Sequence, residues 1–132
     1  MSIGTWCLFI AIVQVKVQVS GHEDEVVETL TEDSSLQTAQ KLLHKILPVI
    51  GTSLASVLYG RSLYWYFLCE DAESLYQLRV TYNNGKLIDY IREVCHKVCL
   101  VNETVQITVE WSYDDYLKCS SWFLQQQVHS MF

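Results

Sequence analysis

Apolar and polar residues recur along this chain with two periods, and the change from one to the other divides it into elements. Val13, Val15, Val17 and Val19 share one parity while Gln14, Lys16, Gln18 and Ser20 share the other, which is the signature of a strand. With the apolar run before them, they predict a first strand over residues 5–17. An acidic loop over 20–33 follows. Ser34-Ser35-Leu36-Gln37 has the spacing of a capping box, with Ser34 as N-cap and Gln37 reaching back. Leu36, Ala39, Leu43, Ile46 and Leu47 then repeat at helical spacing, and Pro48, which lacks an amide proton, predicts the end of that helix.

Residues 62–69 (SLYWYFLC) are almost continuously apolar and predict a buried strand. Residues 75–82 (LYQLRVTY) alternate, with Tyr76, Leu78, Val80 and Tyr82 on one side, and the polar turn at 70–73 predicts a hairpin between the two. Asn83-Asn84-Gly85 punctuates the next change. Leu87, Ile91, Val94, Cys95 and Val98 form a second helical stripe ending near Leu100. Residues 104–111 (TVQITVEW) alternate again, with Val105, Ile107, Val109 and Trp111 inward. A last helix opens at Ser112-Tyr113-Asp114-Asp115, its carboxylates at the positive helix end, and carries Tyr116, Leu117, Trp122, Phe123 and Leu124.

The predicted order is β-α-β-β-α-β with a C-terminal helix, all in one domain over residues 1–132. It is the split βαβ pattern, an α+β, ferredoxin-like class with a four-stranded antiparallel sheet. Right-handed crossovers place both helices on one sheet face and the first strand in the centre. That strand is apolar on both parities, with Trp6, Leu8, Ile10 and Ile12 on one and Cys7, Phe9, Ala11 and Val13 on the other. Two helices cover one side only. The other side is left for the last helix or for a partner, and an exposed apolar patch marks an interaction site.

The same N-terminal run has a second reading. Residues 3–13 resemble the hydrophobic core of a secretory signal, although no Lys or Arg precedes them. The run is shorter than the roughly 20 residues a membrane-spanning helix needs, so no span is predicted. Cleavage near residue 20 would remove Cys7 and leave four of the 5 cysteines, enough for two bridges, and Asn102-Glu103-Thr104 is a glycosylation sequon. The intact chain has an odd number of thiols, as suits a reducing compartment.

Charge narrows the partners. The formal net charge is −6, with no basic footprint for nucleic acid or an anionic membrane surface. Six of the 15 carboxylates fall in residues 22–33, read as a solvated loop or as an acidic docking segment. Tyr64, Tyr66 and Tyr76 on a ferredoxin-like sheet invite comparison with base-stacking RNA-binding domains, but 75–82 lacks their basic, Gly- and Phe-rich signature.

No catalytic motif is present: no phosphate-cradling glycine loop, no G-x-S-x-G, no H-E-x-x-H. Cys95-His96-x-x-Cys99 sets two thiols one helical turn apart, but no second ligand pair accompanies them, and both lie on or beside the apolar stripe as buried structural cysteines do. Pairing of a thiol with His22, His44 or His129 would need the fold to join them. No catalytic residue, metal, cofactor or small-molecule substrate is assigned, and the chain is read as a non-enzyme.

Residues 73–80 (ESLYQLRV), the helix beginning NNGKLIDYIREV, the strand VQITVEW and the closing YLKCSSWFLQQQ follow one another in an order that resembles the N-terminal domain of TNF-receptor-associated death-domain adaptors. Leu8-Phe9-Ile10 is similar to that domain's first strand. The resemblance implies an intracellular, cytoplasmic adaptor domain of apoptotic signal transduction, whose sheet docks the C-terminal domain of TRAF-type proteins. It implies partner contacts at Phe9, at Cys7 (where the family carries a second aromatic), and at the hairpin positions Leu68, Glu70 and Leu75. The family's death domain has no counterpart in these 132 residues.

Overall fold

The structure is a computed structural model that describes residues 10–131, with side-chain surroundings described as far as Gln126. Four strands form one antiparallel sheet in the order β2-β3-β1-β4. They are β1 (Ala11–Val19), β2 (Thr52–Tyr59), β3 (Leu63–Cys69) and β4 (Ile107–Glu110). Five helices accompany them: α1 (Glu23–Leu30), α2 (Asp33–Ile46), α3 (Ala72–Asn83), α4 (Lys86–Lys97) and α5 (Tyr113–Met131). The chain is therefore α+β, with the first strand central, flanked by β3 and β4.

The alternation read from β1 is the alternation of its burial. Ala11, Val13, Val15, Val17 and Val19 point into the core, and the residues between them point away. Leu63, Trp65, Phe67 and Cys69 extend that buried face across β3, with Val15 opposite Trp65 and Val13 opposite Phe67. Helices close over it with Val26 and Leu30 of α1, Ala39 and Leu43 of α2, and Leu87, Ile91, Val94 and Cys95 of α4. Each fully buried side chain of this size contributes about 1.5–3 kcal/mol relative to exposure.

Several expectations are corrected. The acidic segment 20–33 is not a loop: residues 23–30 form α1. Val26 and Leu30 are one turn apart and buried, and Glu23, Asp24 and Glu25 sit in the first turn, where the helix dipole favours negative charge. Because α1 hands over almost directly to α2, the cap of α2 is Glu32 with no side-chain cap bond, and Ser34 and Gln37 form no capping box.

The hairpin is the larger correction. Residues 75–82 belong to α3, and the strand that pairs with β3 is β2, which the sequence reading left unassigned. Asp71 is the N-cap of α3, its carboxylate accepting the Ser74 amide at 2.7 Å. Leu75 and Leu78 then fall at i and i+3 and are both buried, whereas Tyr76 of the supposed strand face is exposed. β2 reads TSLASVLY, so its apolar alternation is diluted by Ser, Thr and Ala and shifted by a bulge between Leu54 and Ser56. Gly51 immediately precedes it at φ +82, where a Cβ would run into the Ser74 hydroxyl that donates to the Ile50 carbonyl.

Other boundaries move less. β1 ends at Val19 rather than 17, and the expected strand residues 5–9 lie outside the described residues. Gly85, at φ +80, separates α3 from α4. β4 is shortened to Ile107–Glu110, with Trp111 buried just beyond it.

Candidate functional site

The second face of the sheet is built from the residues that the core alternation leaves over. On β1 these are Ile12, Gln14, Lys16 and Gln18, and on β3 they are Tyr64, Tyr66 and Leu68. Register sets Ile12 opposite Leu68, Gln14 opposite Tyr66 and Lys16 opposite Tyr64, while Leu58 of β2 continues the Tyr64 row. Ile12 is 62% exposed and Leu58 58% exposed; Leu68, Tyr64 and Tyr66 are half-buried. Such cross-strand rows of apolar and aromatic side chains normally lie beneath a covering layer.

α5 covers one part of this face. Ile10, Ala11 and Ile12 meet Lys118, Cys119 and Trp122 around a cavity of about 410 Å³, with the Cys119 thiol 3.9 Å from the Ile12 carbonyl. A second cavity of about 430 Å³ opens where Gln14, Lys16 and Tyr64 face Tyr82, Trp111 and Asp115. Lys16 and Glu110 form a 3.9 Å ion pair at its rim.

One wall of that cavity is organised by Arg79. Its guanidinium donates to the Trp111 carbonyl at 2.6 Å and lies 4.8 Å from the Tyr82 ring, 5.1 Å from Trp111, and 5.6 Å from both Tyr113 and Tyr116. Tyr82 also accepts the Trp111 amide at its hydroxyl, at 3.2 Å. These contacts rivet α3 to the turn between β4 and α5 and hold α5 against the sheet edge. Sequence reasoning missed this cluster because it placed Arg79 on the polar side of a strand. The available signal was Arg79 three residues before Tyr82, a helical neighbour spacing, together with the aromatic run Trp111, Tyr113 and Tyr116.

The predicted contact residues are only partly brought together. Leu68 lies on the open face, and Glu70 is exposed at the turn from β3 into α3. Leu75 does not share that surface: it is 1% exposed, because the segment coils into α3 and turns this side chain inward. Cys7 and Phe9 lie outside the described residues.

The cysteines are separate sites. Burial pushes the Cys69 and Cys95 thiols each up to about 12 and Cys99 up to about 11, the opposite of the lowered pKa that activates a nucleophile. Cys119 is raised as well, by burial and then by Asp115. Among the described residues the four cysteines are free, no group of His, Cys, Asp and Glu could hold a metal ion, and no helix is long and apolar enough to cross a membrane.

Comparison of the chain with protein-family models, with curated proteins and with solved structures finds no match.

Proposed function

We propose that this chain is a protein-interaction domain, an intracellular adaptor module of TNF-receptor-type signalling that docks a TRAF-type partner through the open face of its sheet. The observation that carries the reading is the Ile12–Leu68 pair. An exposed isoleucine near the start of the central strand, opposite Leu68, with Tyr66 one row along and Tyr64 and Leu58 in the row after that, is apolar area that folding leaves in water. Tyrosines suit such a surface because each combines a large apolar ring with a hydroxyl that stays hydrated until a partner arrives. Within the same reading, the strand order β2-β3-β1-β4 is a ferredoxin-like sheet elaborated by α1, α3 and α5.

The test is capture of a purified TRAF-type C-terminal domain by the wild-type chain and by Ile12→Asp, Leu68→Asp and Phe9→Asp, with melting curves for each. The expected result is loss of capture with Ile12→Asp and Leu68→Asp while the melting temperature holds. Undiminished capture by folded Ile12→Asp removes the open face from the reading. A secreted protein is the alternative, and the exposure of Asn102 in its sequon is the observation that favours it. Mass spectrometry of the native protein separates the two: an intact N-terminus with free thiols and an unmodified Asn102 excludes secretion.

A further inference from the structure

We propose that the outer edge of β2, where it faces α2, is a second docking site that takes an extended acidic peptide as an added strand. The two ends of the sheet differ. β4 is four residues long and ends on Glu110, whereas β2 spans eight residues with no charge and no proline. Uncharged edges are templates for strand addition, and of the usual guards β2 lacks charge and proline; its bulge between Leu54 and Ser56 confines the regular edge to Thr52–Leu54, where α2 lies alongside.

Hydrogen-bond alternation shows which backbone groups are on offer. The Glu70 amide donates to the Gly51 carbonyl at 2.9 Å, and Thr52 lies opposite Cys69. In an antiparallel pair this makes Gly51 and Ser53 the residues bonded to β3, so Thr52 and Leu54 aim their amides and carbonyls outward. Among the described residues no strand pairs with that side. The Gln40 side-chain amide donates to the Leu54 carbonyl at 2.8 Å, filling with a side chain the place that an incoming strand's amide would take.

The space beside this edge is a groove of about 550 Å³ lined by Gln37, Gln40, Lys41, His44 and Ser53. The four α2 residues stand at i, i+3, i+4 and i+7, one continuous helix face running alongside the strand. On a chain of net charge −6, this groove is lined by no carboxylate, and Lys41 is its fixed charge. A peptide lying there bonds its main chain to Thr52 and Leu54 and presents alternate side chains to α2. Acidic side chains at those positions meet Lys41 and the ring nitrogens of His44.

The probe is a fluorescent peptide alternating glutamate and valine, compared with a lysine–valine counterpart and with the acidic peptide N-methylated at alternate amides. Polarisation is read against the wild-type chain and Lys41→Glu, an exposed substitution on the helix surface. Amide exchange at Thr52 and Leu54 is read by NMR on the wild-type chain, which needs no variant to fold. The acidic peptide is expected to bind, to weaken as salt rises, to slow exchange at both amides, and to lose about tenfold in affinity with Lys41→Glu. Absence of binding, equal binding of the lysine–valine or N-methylated peptide, or unchanged amide exchange overturns the proposal. A concentration-dependent dimer that protects the same amides without peptide overturns it too, and assigns the edge to a second copy of the chain.

Discussion

Val13 and Ile12 are neighbours on β1, yet one is fully buried and the other lies mostly in water. The same contrast runs along β3, where Trp65 and Phe67 are sealed under helices while Tyr64 and Tyr66 stand on the open side. The two faces are made by the same strands and the same backbone bonds, and differ in the side chains that alternate between them and in what lies above them. The valine face carries the folding energy, because α1, α2 and α4 remove it from water. On the other face Ile12 and Leu58 stay exposed and Tyr64, Tyr66 and Leu68 half-buried, so substitutions there should disturb the fold less than substitutions on the valine face.

The sharpest way to break that contrast is to put the same charge on both sides. Val15→Asp places an unpaired carboxylate in the core and is expected to abolish cooperative folding, whereas Ile12→Asp is expected to shift the melting midpoint by no more than a few degrees, as judged by circular dichroism. Similar damage from both would mean that the open face is part of the core. Next in size, Trp65→Ala should cost about 3–5 kcal/mol in urea unfolding. Tyr66→Ala, on the opposite face of β3, should cost less than half of that.

The Arg79 cluster asks whether α5 holds to the sheet by packing alone. Arg79→Ala is expected to cost about 1–3 kcal/mol, from the lost hydrogen bond to the Trp111 carbonyl and the lost ring contacts, with a change in tryptophan emission. Unchanged emission and stability would show that α5 is held by Phe123 and its neighbours instead.

The thiols test burial through pH. Cys69 and Cys95 are raised from the ordinary 9.0 to about 12, so the folded protein keeps those protons in the range where the unfolded chain releases them. Stability from this source is complete below pH 9 and is lost as pH rises from 9 toward 12. Cys95→Ala should flatten that slope, and neither thiol should react with a maleimide in the native protein at neutral pH. The smallest effect is expected at the exposed Lys16–Glu110 pair, where Lys16→Ala should change stability by less than about 0.5 kcal/mol.

Much of the sheet was legible because its residues declare their environment. Val13 to Val19 alternate without interruption, and residues 63–69 are apolar enough to be buried in any arrangement. α4 was legible from Leu87, Ile91 and Val94, and α5 from the serine and paired aspartates at its start. Residues 75–82 misled because Leu75, Leu78 and Tyr82 fit a helix while Tyr76, Leu78, Val80 and Tyr82 fit a strand; the Asp71 cap decides between them. β2 escaped notice because its inward residues are Thr52, Leu54 and Val57, out of step across a bulge. Of the candidate site, Leu68 and Glu70 were expected as contact positions only through the family resemblance, while Ile12 was read only as one member of an apolar strand.

The sequence by itself determined that this chain folds around a valine-rich central strand, carries an acid excess and holds its cysteines among apolar neighbours, since each of these is a property of residues close together along the chain. The tertiary structure alone decided which strand pairs with β3, and that Arg79 and its helix neighbour Tyr82 meet Trp111, Tyr113 and Tyr116 from one distant segment. Those outcomes depend on strand register and on contacts between segments apart in sequence, such as Arg79 with the Trp111 carbonyl, and the periodicity within one segment carries no information about them.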